Sequence, residues 1–121
     1  MLFCFDIDGT LDSLKMKGEG EYIQGIIPVK TLINLMMDKH DIAIVSPSPY
    51  YPEGFESMIY AQNESNDYRW LNIQEAMRYN NVLDEKNVVY VDDLQGNLNL
   101  IKKQYPNMTV FTPKQFMEQF K

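Results

Sequence analysis

The chain has 121 residues, 45% of them hydrophobic, and 11 Lys and Arg against 17 Asp and Glu give a formal net charge of -6. That length suits one compact domain, taken as residues 1–121, and the composition is that of a folded chain rather than a disordered one. The acidic balance argues against a module that holds nucleic acid by neutralising phosphates, and equally against a polybasic binder of membrane surfaces.

The lone cysteine, Cys4, cannot build an internal disulfide framework and suits a reducing compartment. No apolar run approaches the roughly 20 residues needed to span a bilayer. The opening residues reach Asp6 and Asp8 before a signal-type core can develop. A soluble, cytoplasmic protein is expected.

Leu2–Ile7 is an almost wholly apolar run ending in acids, the pattern of a strand buried on both faces. Val29, Leu32, Ile33 and Met36 fall on one helical face, with Pro28 near the first turn. Asp41–Ser46 predicts a second buried strand, stopped by Ser46-Pro47-Ser48-Pro49, because proline cannot continue an inner strand. The stretch from Pro47 to Asp67 is the least regular, and Ser57–Ala61 is a candidate short strand. Trp70, Ile73 and Met77 predict a helix from about Arg69 to Tyr79, closed by Asn80-Asn81.

Asn87–Val91 reads as another apolar strand, ending in Asp92-Asp93. Leu94, Leu98, Ile101 and Tyr105 then mark a helix that Pro106 ends, and Met108–Phe111 a last short strand. Thr112-Pro113-Lys114-Gln115 opens the final helix with a capping residue, a proline at the first helical position and a capping-box glutamine. Strands alternating with helices imply an α/β fold, a mostly parallel sheet of about five strands with helices on both faces.

In such sheets ligands bind outside the carboxyl ends of the strands. Asp6, Asp8, Ser46, Asp92 and Asp93 stand at strand ends. Four carboxylates at one edge repel one another unless protonated or bound to a cation. Oxygen-only ligands suit a hard ion, Mg²⁺ before others, with phosphate as a co-ligand. One histidine and one cysteine cannot build the usual zinc sets.

Phe3-Cys4-Phe5-Asp6-Ile7-Asp8-Gly9-Thr10-Leu11 resembles the first motif of the haloacid dehalogenase (HAD) superfamily of phosphatases and phosphotransferases. Ile42–Ser46 is similar to its second motif. Val88–Asp93, with Asn97 beyond, is similar to its fourth. The resemblance implies a Rossmann-like, HAD-type fold and a Mg²⁺-dependent phosphohydrolase. Asp6 would be the nucleophile that forms an aspartyl-phosphate, and Asp8 the general acid and base. The backbone carbonyl of Asp8 and the side chains of Asp6 and Asp93 would hold the metal, with Asp92 a ligand through water or a partner behind those ligands. Ser46 would hydrogen-bond the transferring phosphoryl group, with Ser48 as the alternative. Gly9 and Thr10 are carried over with Ser46 and Arg69 as substrate-binding residues.

The chain departs from the family at the third motif, where a lysine is usual. Arg69 stands at a plausible distance before Asp92, and Arg78 and Lys86 are alternatives. Arginine keeps the charge but brings a planar fork. Many family members carry a cap domain, and neither Leu11–Ile27 nor Gln62–Tyr68 is long enough for a helical one. A capless member is therefore implied, with its phosphorylated substrate open to being macromolecular, nucleic acid less favoured, no membrane partner, and self-association open. The rival reading is a catalytically weak or inactive module of the same type that binds a phosphorylated ligand or a protein partner. His40 belongs at the edge opposite the site, and Cys4 to packing. Tyr50 and Tyr51, after the second motif, are candidates to touch substrate.

Overall fold

The computed structural model describes residues 1–120. Four parallel strands form the central sheet: β1 (Leu2–Phe5), then, beyond two short strands β2 (Leu11–Asp12) and β3 (Ile27–Pro28), β4 (Asp41–Ile44), β5 (Val88–Val91) and β6 (Thr109–Phe111). Their order is β4-β1-β5-β6. Helices α1 (Val29–Met37), α2 (Arg69–Tyr79), α3 (Gln95–Gln104) and α4 (Pro113–Gln119) complete an α/β layering. The chain leaves β1 to one side for β4 and returns to the other for β5. The order therefore reverses beside β1, the kind of crevice where ligands bind in open parallel sheets.

Residues of alternate parity on each strand serve opposite faces. Phe3, Phe5, Ile42, Ile44, Val89 and Val91 pack with Leu32 and Leu35 of α1 and Phe116 of α4. Leu2, Cys4, Ala43, Val88 and Tyr90 pack with Ile73 and Met77 of α2 and Leu98 and Ile101 of α3. Fully buried side chains such as Phe5 and Ile73 stabilise the fold by about 1.5–3 kcal/mol each.

The helix boundaries follow local chemistry. α2 spans Arg69–Tyr79 and ends at Asn80, with Asn81 in the left-handed region that asparagine tolerates. Thr112 and Gln115 form the reciprocal capping box that opens α4 on Pro113. Between β4 and α2 the chain differs from the expected extra strand. A single 3-10 turn takes up Glu56–Met58, and only Ile59 bridges to Ile44 in parallel. The apolar run Met58–Ala61 is cut at its start by that 3-10 turn, which takes Met58, and at its end by the polar run Gln62–Asp67, so a single bridge forms in place of a strand. The sheet has four strands where the sequence pattern suggested about five.

Leu11–Ile27 forms no helix, and its ends pair as β2 and β3. This loop clasps the loop that follows β4. Lys17 N donates to the carbonyl of Tyr51, Glu53 N donates to that of Lys15, and the rings of Tyr22 and Tyr50 lie 5.7 Å apart. No helix among the described residues is long and apolar enough to cross a membrane.

Candidate active site

Register brings the polar strand ends together. Phe5 pairs with Ile44 on one side and Val91 on the other. The ladder continues one step, with Asp6 N donating to Val91 and Val45 N to Phe5. Asp6 and Asp92 therefore emerge side by side, on the face that Cys4 and Tyr90 occupy one pleat earlier. That face is covered by α2, whose first residue is Arg69.

Arg69 is 5% exposed and ties the acids together. Its Nη1 donates to Asp6 Oδ1 at 2.9 Å, to Asp92 Oδ2 at 3.2 Å and to the Tyr90 hydroxyl at 3.4 Å. Its Nη2 donates to Asn66 Oδ1 at 3.0 Å. A cation in the first turn of a helix opposes the helix dipole, and the two carboxylates offset that cost. Burial works against the charge on Arg69, but Tyr90, Asp6 and Asp92 outweigh it and hold the guanidinium ionised.

Asp92 is fully buried and its oxygens are occupied. Oδ1 accepts from Leu94 N at 2.9 Å, and Oδ2 accepts from Asn97 Nδ2 at 2.9 Å, from Arg69 and from the Tyr90 hydroxyl. It organises the turn into α3 and anchors Arg69. Asp6 is less fully paired. Burial and the nearby Asp92 charge push its carboxyl up to about 7, against the pull of Arg69. Burial and Asp92 also raise Asp93. The loss of water and the crowding of like charge both favour a proton, or a cation, at this edge.

Asp6, Asp92 and Asp93 each place a carboxylate oxygen within 4.8 Å of the others. The donor set is all oxygen and anionic, as Mg²⁺ requires. Asp92 carries four hydrogen bonds against two on Asp6, which leaves Asp6 and Asp93 the less committed carboxylates for a metal. Gly9 makes room for this pair. Its φ is +79°, and a Cβ there would lie 2.2 Å from an Asp93 carboxylate oxygen, so only glycine fits both the turn and the space.

The remaining candidates divide. Asp8 lines the cleft, and its Oδ1 accepts from Ser48 Oγ at 3.1 Å. Ser46 is buried, lines the cleft and accepts from Ser48 N at 3.3 Å. Thr10 is fully buried and sits behind Asp6, with its Oγ1 3.5 Å from Asp6 Oδ2. Neither Gly9 nor Thr10 lines the cleft, whose volume is about 410 Å³. Tyr50 turns its hydroxyl to the carbonyl of Glu19, away from that lining. Arg78 lines a separate open groove of about 510 Å³ on the outer side of α2, which holds none of the strand-end acids. His40 stacks edge-on against Phe3 at 5.2 Å, at the opposite end of the strands. Cys4 is buried, and burial pushes its thiol up.

Sequence reasoning passed over Tyr90, Asn72 and Asn66. Tyr90 carried a signal: it lies two residues before Asp92 and therefore on the same face of β5. Asn72 is buried in α2 and donates to Val45 O at 3.1 Å and Asn63 O at 2.9 Å, which ties the end of β4 to the loop before α2. A mid-helix asparagine gives no hint of that in sequence. Comparisons of the chain with protein-family models, with curated proteins and with solved structures return no match.

Proposed function

We propose that the chain is a Mg²⁺-dependent phosphohydrolase of HAD type on a capless, Rossmann-like domain. The observation that carries this reading is the conjunction at one strand edge: Asp6 and Asp93 facing a common point, Asp8 beside them in the cleft, and Arg69 braced across Asp6 and Asp92. The single parallel bridge from Ile59 to Ile44 supports the Rossmann-like reading at that edge of the sheet. A lone, buried Cys4 suits a reducing compartment such as the cytoplasm.

In this reading Asp6 Oδ attacks phosphorus and the phosphoryl group moves to the carboxylate, giving an aspartyl-phosphate. Asp8 gives its proton to the departing oxygen as that P–O bond breaks, and then takes a proton from the water that attacks phosphorus, which breaks the bond to Asp6 and releases inorganic phosphate. Ser48 donates to the Asp8 carboxylate, and Ser46, in the cleft lining, would hydrogen-bond the phosphoryl oxygens. Arg69 keeps Asp6 oriented and compensates its charge. Bound Mg²⁺ would supply charge neutralisation of the phosphoryl oxygens and lower the proton affinity of Asp6.

A phosphate-release screen over sugar phosphates, nucleotides, phosphopeptides and aryl phosphates, run with Mg²⁺ and with EDTA, tests the proposal. Metal-dependent turnover that disappears in Asp6→Asn is the expected result. Absence of turnover across the whole panel points instead to a module that binds a phosphorylated ligand.

A further inference from the structure

We infer that the cleft accepts phosphomonoesters whose leaving group is neutral or cationic and partly apolar, and rejects leaving groups that carry further negative charge. This rests on the hydrolase reading above. Asp6, Asp8, Asp93 and Glu64 line the cleft, against a single cation, Arg69. The single positive charge of Arg69 is already spread over two carboxylates, although its Nε has no partner. Arg69 is buried, its Nη1 is shared between Asp6 and Asp92, and its Nη2 is bound to Asn66. A divalent cation and a phosphoryl dianion cancel each other, so the excess of carboxylates confronts whatever hangs from the phosphoryl group.

The outer part of the cleft reinforces this. Glu64 is exposed and stands at the mouth. Ile23 and Leu94, 66% and 53% exposed, line the same cleft and offer aliphatic contact instead of charge. Lys15 and Lys17 do not line it, and Lys17 is paired with Glu53 at 3.5 Å. A second phosphate or a carboxylate on the substrate would meet like charge with no counter-ion, the arrangement by which sites exclude wrong ligands. A protonated amine would meet Glu64.

Three aryl phosphates of matched leaving-group acidity test the inference: 4-methylphenyl, 4-(aminomethyl)phenyl and 4-(carboxymethyl)phenyl phosphate. At low salt, kcat/KM for the first two should exceed that for the third at least tenfold, and the gap should narrow as salt screens the charges. Glu64→Lys should shrink or invert the order. The corresponding non-hydrolysable phosphonates, titrated calorimetrically with Mg²⁺ present, should bind in the same order. Phosphonate binding in that order without any turnover would retain this inference and sink the hydrolase reading. Equal or better binding and turnover of the carboxylate compound, or no binding by any of the three phosphonates, would overturn the inference.

Discussion

The two faces of the sheet are made from alternate residues of the same strands, yet they hold different contents. Toward α1 and α4, β1 presents Phe3 and Phe5, which meet Phe116 at ring-centroid distances of 6.1 Å and 5.4 Å, and Phe116 stacks on Phe120 at 4.8 Å. Toward α2 and α3 the same strand presents Leu2, Cys4 and then Asp6, and β5 presents Val88, Tyr90 and Asp92. One face gains its energy from apolar burial alone, aromatic and aliphatic. The other narrows from apolar packing to a buried chain of Asp6, Arg69, Asp92, Tyr90 and Asn97. The aromatic face can bear the marginal cost of that chain, since buried ion pairs seldom add net stability.

The sharpest break between the faces is chemical. Asp6→Asn should lower phosphate release by on the order of 10⁴-fold or more, with an unchanged far-ultraviolet circular dichroism spectrum. Full activity in that variant would end the proposed mechanism. On stability the faces should respond with different pH signatures. Phe116→Ala is expected to cost about 3–5 kcal/mol in urea unfolding, equally at pH 5 and pH 8. Arg69→Gln leaves two carboxylates without their cation and should cost about 3–5 kcal/mol at pH 8. Its cost should shrink at pH 5, where Asp6 accepts a proton. Equal losses for Arg69→Gln at both pH values would remove the charge argument.

Asp6 also sets a slope in the unmodified protein. Its carboxyl titrates near 3.8 as a free group and is pushed up to about 7 in the fold, so the folded state holds the proton more tightly. Asp6 therefore favours folding at low pH and loses that contribution as pH rises through about 4 to 7. Melting temperature in EDTA should show this fall, and Asp6→Asn should flatten it. Saturating Mg²⁺ at pH 8 should recover stability, by about 2.7 kcal/mol at a hundredfold excess over Kd. The smallest effect lies far from the site. Thr112→Ala removes the α4 cap and should cost about 1 kcal/mol, with no change in Mg²⁺ affinity.

What could be read from the sequence follows from what is local. The apolar strands, the approximate span of α2 and the box that opens α4 were legible because periodicity and capping act within a few residues. Asp6, Asp8, Asp92 and Asp93 were legible as strand-end acids for the same reason. The position of Arg69 could only be raised among three candidates, because the choice depends on how α2 docks on β1 and β5. Asn72 was not singled out, since its hydrogen bonds run to Val45 and Asn63 outside its own helix, whereas Tyr90, two residues before its partner Asp92, was within reach of the strand pattern. The shortfall at Ile59 reflects a competition between a 3-10 turn and strand pairing, which a pattern as short as Ser57–Ala61 cannot decide.

The clasp between the two loops at the cleft has a consequence in time rather than in shape. Its hydrogen bonds, Lys17 to Tyr51 and Glu53 to Lys15, lie at exposed Lys15, Lys17 and Glu53 and half-buried Tyr51, whereas the strands beneath are sealed by fully buried side chains. Segments of the first kind open at a lower free energy than the core. The amides of Lys17 and Glu53 should therefore exchange with deuterium together, well ahead of those of Asp6 and Val45.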